Sequence, residues 1–411
     1  MGDDNGFVIV GAGLGGAKAA ETLRDQGYAG RIVLVGEERE RPYERPPLSK
    51  GYLMGDKTRE EVYVHPLEWY DEHDVDLRLG VTATGLDAAA HELTFEDGSR
   101  LGYAKLLLTT GSSPRRLPVP GADLDGVLYL RRLPDSDRIK EAVATADRIV
   151  VIGAGWIGLE TAAAARAAGV EVTVLEAAEL PLLGPLGAEA ARIFADLHTS
   201  HGVDLRCGVG VAEILGSAGH AAGVRLDDGS RVAADTVVIG VGITPNTGLA
   251  EHAGLTVDNG VRVDAQLRSS DPDVFAAGDV ASAFHPVLGK HIRVEHWANA
   301  LNQPQTAAKA MLGQDVRYDR VPYFFTDQYD LGMEYQGYVD PGGYDQVVFR
   351  GARDSGEFVV FWLASGRVLA GMNVNVWDQT DAIRDLVAVR ATVDPDRLAD
   401  PNVPLSDAVT T

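Results

Sequence analysis

Two short glycine-rich runs carry the clearest chemical signal in the chain. GAGLGG starts at Gly11 and GAGWIG at Gly153, and each follows an apolar strand and opens an alanine-rich helix. In such a run Gly11 permits a tight turn, Gly13 lets the backbone approach a pyrophosphate, and Gly16 lets helix and strand pack closely. Gly15 lies in the same turn, and Gly153, Gly155 and Gly158 repeat the spacing with Ile157 among them. The phosphates of a dinucleotide would rest on backbone amides at each helix N-terminus. An acid follows each run, Glu37 26 residues after Gly11 and Glu176 23 residues after Gly153. A carboxylate at that place accepts hydrogen bonds from ribose hydroxyls and repels a 2′-phosphate. No arginine follows Glu176 until Arg192, so the second site is expected to prefer NADH to NADPH.

Four further places could do chemistry, each with a plainer alternative. Arg45-Pro46-Pro47-Leu48-Ser49-Lys50 is a proline-stiffened cationic loop. It reads as a surface connection with solvated charges, or as a mount for an ammonium that stabilises the negative charge of a reduced flavin, with Lys50 the candidate and Arg45 in support. Glu160, expected in the first turn of the second glycine-run helix, either complements the helix dipole, holds a nicotinamide amide, or pairs with Lys50. Asp279 follows the apolar run VFAAG, where it could bind a polyol hydroxyl or cap the next helix. His291 and His296 near Trp297 flank a cofactor or simply pack. His65, His73, His91, His198, His201, His220 and His252 lack metal-ligand spacing and receive no role.

The elements that must position these residues form a duplication. FVIVGAGLGG (7–16) answers IVVIGAGWIG (149–158), and each helix leads to a second apolar strand, RIVLVGE or EVTVLE. FEDGSRL (95–101) then answers LDDGSRV (226–232), and LLLTTGSSP (106–114) answers VVIGVGITP (237–245), with Gly111 and Gly242 131 apart. Each Asp-Gly pair signals a hairpin, and each later run a buried strand ending at glycine. From Tyr323 the texture changes to aromatic, alternating strands followed by the helical run DQTDAIRDLVAVRA. The expected fold is α/β: two Rossmann-like dinucleotide-binding domains, 1–115 with 247–322 and 116–246, plus a C-terminal α+β domain at 323–411 with a core of its own.

Composition closes off other chemistries. The 411 residues hold one cysteine, Cys207, so no intrachain disulfide, CxxC pair or cysteine-ligated cluster can form, and redox work needs a bound organic cofactor. A net charge of −23 argues against nucleic acid and anionic membranes as partners. The strand at Phe7–Val10 leaves no room for a signal peptide, and no 18-residue apolar window occurs, so a cytoplasmic protein is expected. No amphipathic segment remains unassigned, which leans toward a monomer.

Together these residues resemble the FAD-dependent NADH:ferredoxin reductases of the glutathione-reductase-like fold, in particular the putidaredoxin reductase and biphenyl-dioxygenase ferredoxin reductase group. RPPLSK, TTG, LYLR, VIGAGWIGLE, VGITPN, VFAAGDVA, VEHWANA and FTDQYD carry the resemblance, which spans nearly the whole chain. It implies FAD in the first domain, contacted by Gly15, Glu37, Arg45, Lys50, Ala83, Arg131, Asp279 and Trp297. It implies NADH in the second, contacted by Gly153, Gly155, Ile157, Glu160, Glu176 and Gly242. NADH would pass a hydride to the flavin, and single electrons would go on to an acidic two-iron ferredoxin serving a monooxygenase or dioxygenase. Such a ferredoxin needs a local basic patch on an acidic body, for which Lys290, Arg293, Lys309, Arg317 and Arg320 are candidates, with Phe324 and Phe325 as packed aromatics nearby. Disulfide reductases and NADH peroxidases are excluded by the missing cysteines. A rubredoxin or monodehydroascorbate-type reductase stays open, as does an NADH-sensing flavoprotein of the apoptosis-inducing-factor type.

Overall fold

The computed structural model describes residues 5–410. The expected domain limits at Met1–Asp4 and Thr411 lie outside them. Contacts divide the chain into two compact units, one running to Glu44 and including Thr58–Ser113 and Thr244–Arg320, the other holding Arg45–Lys57, Pro114–Ile243 and everything from Val321 on.

The core of the first unit is a five-stranded parallel sheet in the order Val274–Ala276, Lys105–Leu108, Phe7–Val10, Ile32–Gly36, Val75–Leu79. Its inner strands are unbroken apolar runs because both faces are covered, and FVIV and IVLVG are buried at every position. All strands run the same way, so Gly11, Glu37, Gly111 and the Gly278-Asp279 pair follow strand ends on one edge of the sheet. The Asp-Gly hairpin predicted at 95–101 joins the antiparallel strands Glu92–Phe95 and Arg100–Gly102.

In the second unit the parallel sheet has the same plan, Asp204–Cys207, Glu171–Glu176, Arg148–Ile152, Thr236–Ile239, Val127–Tyr129. The duplication therefore extends to strand order, with one permutation. The edge strand beside Lys105–Leu108 arrives last in the first unit, and its counterpart, Val127–Tyr129, arrives first in the second.

The aromatic strands from Tyr323 form a five-stranded antiparallel sheet, Tyr323–Gln328, Leu331–Gly337, Arg367–Val374, Phe358–Ala364, Gln346–Arg350. Its period-2 pattern serves two different cores. Val359, Phe361 and Leu363 face Ile383, Leu386 and Val387 of the helix Thr380–Ala388. Phe358, Val360 and Trp362 join Leu159 and Phe194 of the dinucleotide domain. The first of these cores lies within 323–411, and the other face of the sheet adds to the core of the second unit. The loop Arg45–Lys57, assigned by sequence position to the first domain, also belongs to the second unit, where Leu53 enters the shared core and the Ser136 hydroxyl donates to the Leu48 carbonyl at 2.7 Å. Among the described residues no helix is long and apolar enough to cross a membrane, and no cluster of His, Cys, Asp or Glu could hold a metal.

Candidate functional site

The two glycine runs separate glycines that the fold requires from those it does not. A Cβ at Gly11, where φ is +122°, would lie 2.2 Å from the Thr109 carbonyl oxygen, and one at Gly16 would lie 2.1 Å from the Gly11 oxygen. In the second run the same conflicts arise at Gly153, 2.4 Å from the Gly240 oxygen, and at Gly158, 2.0 Å from the Gly153 oxygen. Gly13 and Gly155 differ, because a Cβ at either would meet nothing within 4 Å. Their bare backbone opens on free space before the helices Leu14–Asp25 and Trp156–Ala167, neither of which carries an acid in its first turn. Two uncompensated helix N-termini behind open glycines fit two pyrophosphates. Gly15 is tighter, its Cβ position 3.2 Å from the Pro304 ring.

In the first unit Glu37 is exposed directly after the strand Ile32–Gly36. Ala83 begins the strand Ala83–Asp87 and packs against the core. Asp279 is not a helix cap, as one reading had it. It sits inside the short turn Gly278–Val280, whose Gly278 N–H donates to the buried Gln303 side chain at 2.9 Å. Trp297 opens the helix Trp297–Met311 with His296 at its cap position. Burial pushes the His296 imidazole down to about 4, against the opposing charge of Asp279. His291 lies elsewhere, on the strand Lys290–Ile292, with Arg262 3.3 Å away. Arg293 is withdrawn from the docking candidates: its side chain is only 9% exposed and is ion-paired with Glu295. Arg317 and Arg320 are exposed.

In the second unit Glu176 ends its strand with both carboxylate oxygens engaged, one accepting the Ala154 N–H at 2.6 Å and the other the Ala178 N–H at 2.8 Å. These bonds tie the acid to the GAGWIG loop and leave lone pairs for a ribose diol. Ile157 is exposed in the first helical turn, and Gly242, at φ +97°, follows the strand Thr236–Ile239. The Arg45 guanidinium donates to the carbonyl of Arg131, just past the edge strand Val127–Tyr129.

Glu160 settles among its three readings by position. It is the fifth residue of its helix, outside the first turn, and 3% exposed. The Lys50 ammonium lies 2.7 Å from its Oε1. The Ser49 hydroxyl donates to Oε2 at 2.5 Å and the Thr326 hydroxyl to Oε1 at 2.6 Å. Burying such a polar group costs free energy unless hydrogen bonds and an opposite charge offset it, as these do. Lys50 also lies 5.4 Å from the Phe325 ring centroid. Asp327 is held above the usual carboxylate range by desolvation, against the pull of Lys50 and with repulsion from Glu160 and Glu334. Phe324 stacks on Tyr335 and tilts against Trp156 of the glycine run, both at 4.8 Å between centroids.

Thr326 and Gln328 were legible only as letters of FTDQYD. Alternation along the strand Tyr323–Gln328 puts them on one face, but nothing in the sequence aims that face at Glu160. Ser49, adjacent to Lys50, carried no independent signal, and His198 none at all.

Residues 6–304 match the pyridine nucleotide-disulphide oxidoreductase family, and residues 323–409 match the reductase C-terminal domain. Rhodocoxin reductase of Rhodococcus erythropolis is 39% identical over 98% of this chain and 94% of its own. The ferredoxin–NAD(+) reductase component of the anthranilate 1,2-dioxygenase system of Burkholderia cepacia is 41% identical over 97% of this chain and 98% of its own. The crystal structure of the covalent putidaredoxin reductase–putidaredoxin complex superposes with a TM-score of 0.95 at 35% identity, covering 98% of each chain.

Proposed function

Because the chain belongs to the pyridine nucleotide-disulphide oxidoreductase family and ends in a reductase C-terminal domain, we propose that it is an NADH-dependent ferredoxin reductase. It draws a hydride from NADH and delivers single electrons to a two-iron ferredoxin that supplies a monooxygenase or dioxygenase, working in the cytoplasm. The observation that carries this reading is the doubled dinucleotide cradle: two glycine runs, each with one glycine the fold does not need, in a chain whose single cysteine rules out disulfide chemistry.

FAD, proposed for the first unit, converts a two-electron donor into one-electron steps, which no side chain can do. The chain's own residues bind and orient. Gly13 and Gly155 admit pyrophosphates to the helix N-termini, with Gly11, Gly15, Gly16, Gly153 and Gly158 shaping the turns. Glu37, Ala83, Asp279 and Trp297 serve FAD, with Arg45 and Arg131 in support. Ile157, Gly242 and Glu176 serve NADH, and Glu176 excludes the 2′-phosphate of NADPH. Lys50 supplies a fixed positive charge, and Glu160 orients it and can accept from the nicotinamide amide.

The test follows cytochrome c reduction by the FAD-loaded protein, with NADH or NADPH, with and without a two-iron ferredoxin. Strong stimulation by ferredoxin and a higher kcat/KM for NADH are expected. Flavin bleaching by NADH that no ferredoxin accelerates would move the acceptor elsewhere, to rubredoxin or a signalling partner.

A further inference from the structure

The bonds that satisfy Glu160 do not stop at Thr326. The Thr326 hydroxyl has one proton, which goes to Glu160, so its oxygen is left to accept, and the Gln328 amide nitrogen donates to it at 3.1 Å. That fixes the amide's orientation, and its oxygen then faces His198 Nε2 at 2.8 Å. Nε2 must therefore carry the imidazole proton, while Nδ1 faces the Tyr329 hydroxyl at a longer 3.4 Å. Thr326 and His198 are fully buried, Gln328 is 1% exposed and Glu160 3%. The chain runs from the last turn of the helix Leu183–Ser200, through the strand Tyr323–Gln328, to the helix of the second glycine run.

We propose that His198, acting through Gln328 and Thr326, is a positioning residue that holds the Glu160 carboxylate aligned toward Lys50. Every donor in the chain points toward Glu160, so its dipoles add at the carboxylate. A primary amide in the middle makes it a poor proton conductor, which leaves orientation as its role. The proposal rests on the reading of Lys50 and Glu160 as groups that serve hydride transfer.

The charged and titratable groups facing this chain are few. Lys50 and Asp327 lie beside Glu160, with Glu334 behind Asp327, and His201 and Tyr329 lie beside His198. Tyr329 in turn stacks on His201 at 3.8 Å between centroids, with Asp330 3.8 Å from the His201 ring. Burial holds the His198 imidazole below its ordinary range.

The experiment compares His198→Leu with His198→Gln in FAD-loaded protein, reading the anaerobic rate of flavin bleaching by NADH from pH 5.5 to 8.5. Leucine removes the donor at similar volume, whereas the glutamine amide can still donate toward Gln328. In His198→Leu the limiting rate should be several-fold lower across the range, with the NADH concentration at half-saturation unchanged. His198→Gln should follow the parent. Superposed profiles for His198→Leu and the parent, or equal impairment of the two variants, would overturn the proposal. A second reading needs no turnover: the imidazole ¹⁵N spectrum of the oxidised protein at pH 8 should show His198, assigned by its loss in His198→Gln, protonated at Nε2. A His198 protonated at Nδ1 instead would also overturn it. Failure of the parent protein to bleach with NADH would instead count against the proposed function, and the ¹⁵N result would stand apart from it.

Discussion

A single methyl group added at Gly155 separates ligand binding from folding more cleanly than removing any side chain. Its Cβ would meet no protein atom, whereas a Cβ at Gly158, three residues on, would meet the Gly153 oxygen at 2.0 Å. Gly155→Ala should therefore melt within about 2 °C of the parent, as expected where a substitution disturbs no packing. Its KM for NADH should rise about tenfold, equivalent to about 1.4 kcal/mol. Gly158→Ala should lose several degrees of Tm. Differential scanning calorimetry and steady-state kinetics on the pair check this, and equal Tm losses would contradict it. At this scale the glycine runs and their acids were legible because each position answers to a local demand of the backbone. The environment of Glu160 was legible only as one of three options. Its other partners, Ser49 and Thr326, lie 111 and 166 residues away in sequence, and no local pattern encodes such a meeting.

Among the elements, the kinked helix Leu183–Ser200 and the strand Phe358–Ala364 show how the C-terminal sheet is fixed to the dinucleotide domain. Gly187 interrupts the helix at φ +74°, and the buried Trp362 indole donates to the Leu186 carbonyl at 3.0 Å. Tyr335 lies 5.2 Å from Trp362, and Phe324 links Tyr335 to Trp156. Trp362→Phe leaves a buried carbonyl without its donor and opens space in the shared core. It should cost about 2 to 4 kcal/mol, read as a lower urea midpoint. A loss within error of zero would show that the sheet is held by its other face. Parallel strands were legible as apolar runs ending in glycine. The sharing of the core was not, because alternation in FVVFWLA marks two buried faces without saying what covers either. The packing of the loop Arg45–Lys57 was illegible for a related reason: its place in sequence says nothing about Ser136, Asp137 and Arg131, which hold it.

For the whole molecule, acid should be the condition that loosens the fold first. Burial holds both His198 and His296 below the ordinary histidine value, His296 at about 4. Below pH 6.5 the unfolded chain takes up protons that these folded imidazoles refuse, so their contribution is complete above that pH and is lost as pH falls toward 4. Asp76 and Asp235, held low by Arg78 and Arg148, lose theirs only below the ordinary aspartate range. The urea midpoint of the FAD-saturated protein should fall between pH 7 and 5, and His296→Gln should flatten that slope. A midpoint constant over this interval would contradict it. The duplication made the architecture legible almost to strand order, and the apolar run VFAAG marked the edge strand Val274–Ala276, whereas its permuted counterpart Val127–Tyr129 escaped because three residues hold too little pattern. The net charge of −23 is what an acidic carrier must overcome, and screening over about 8 Å at physiological salt makes that a matter of local charge. The most direct test of the central claim is NADH-driven cytochrome c reduction by the FAD-loaded protein as a two-iron ferredoxin is added. An NADH oxidoreductase whose acceptor is a ferredoxin should show a rate that climbs and saturates with ferredoxin and that falls sharply when NADPH replaces NADH. A rate indifferent to ferredoxin, or higher with NADPH, would contradict it.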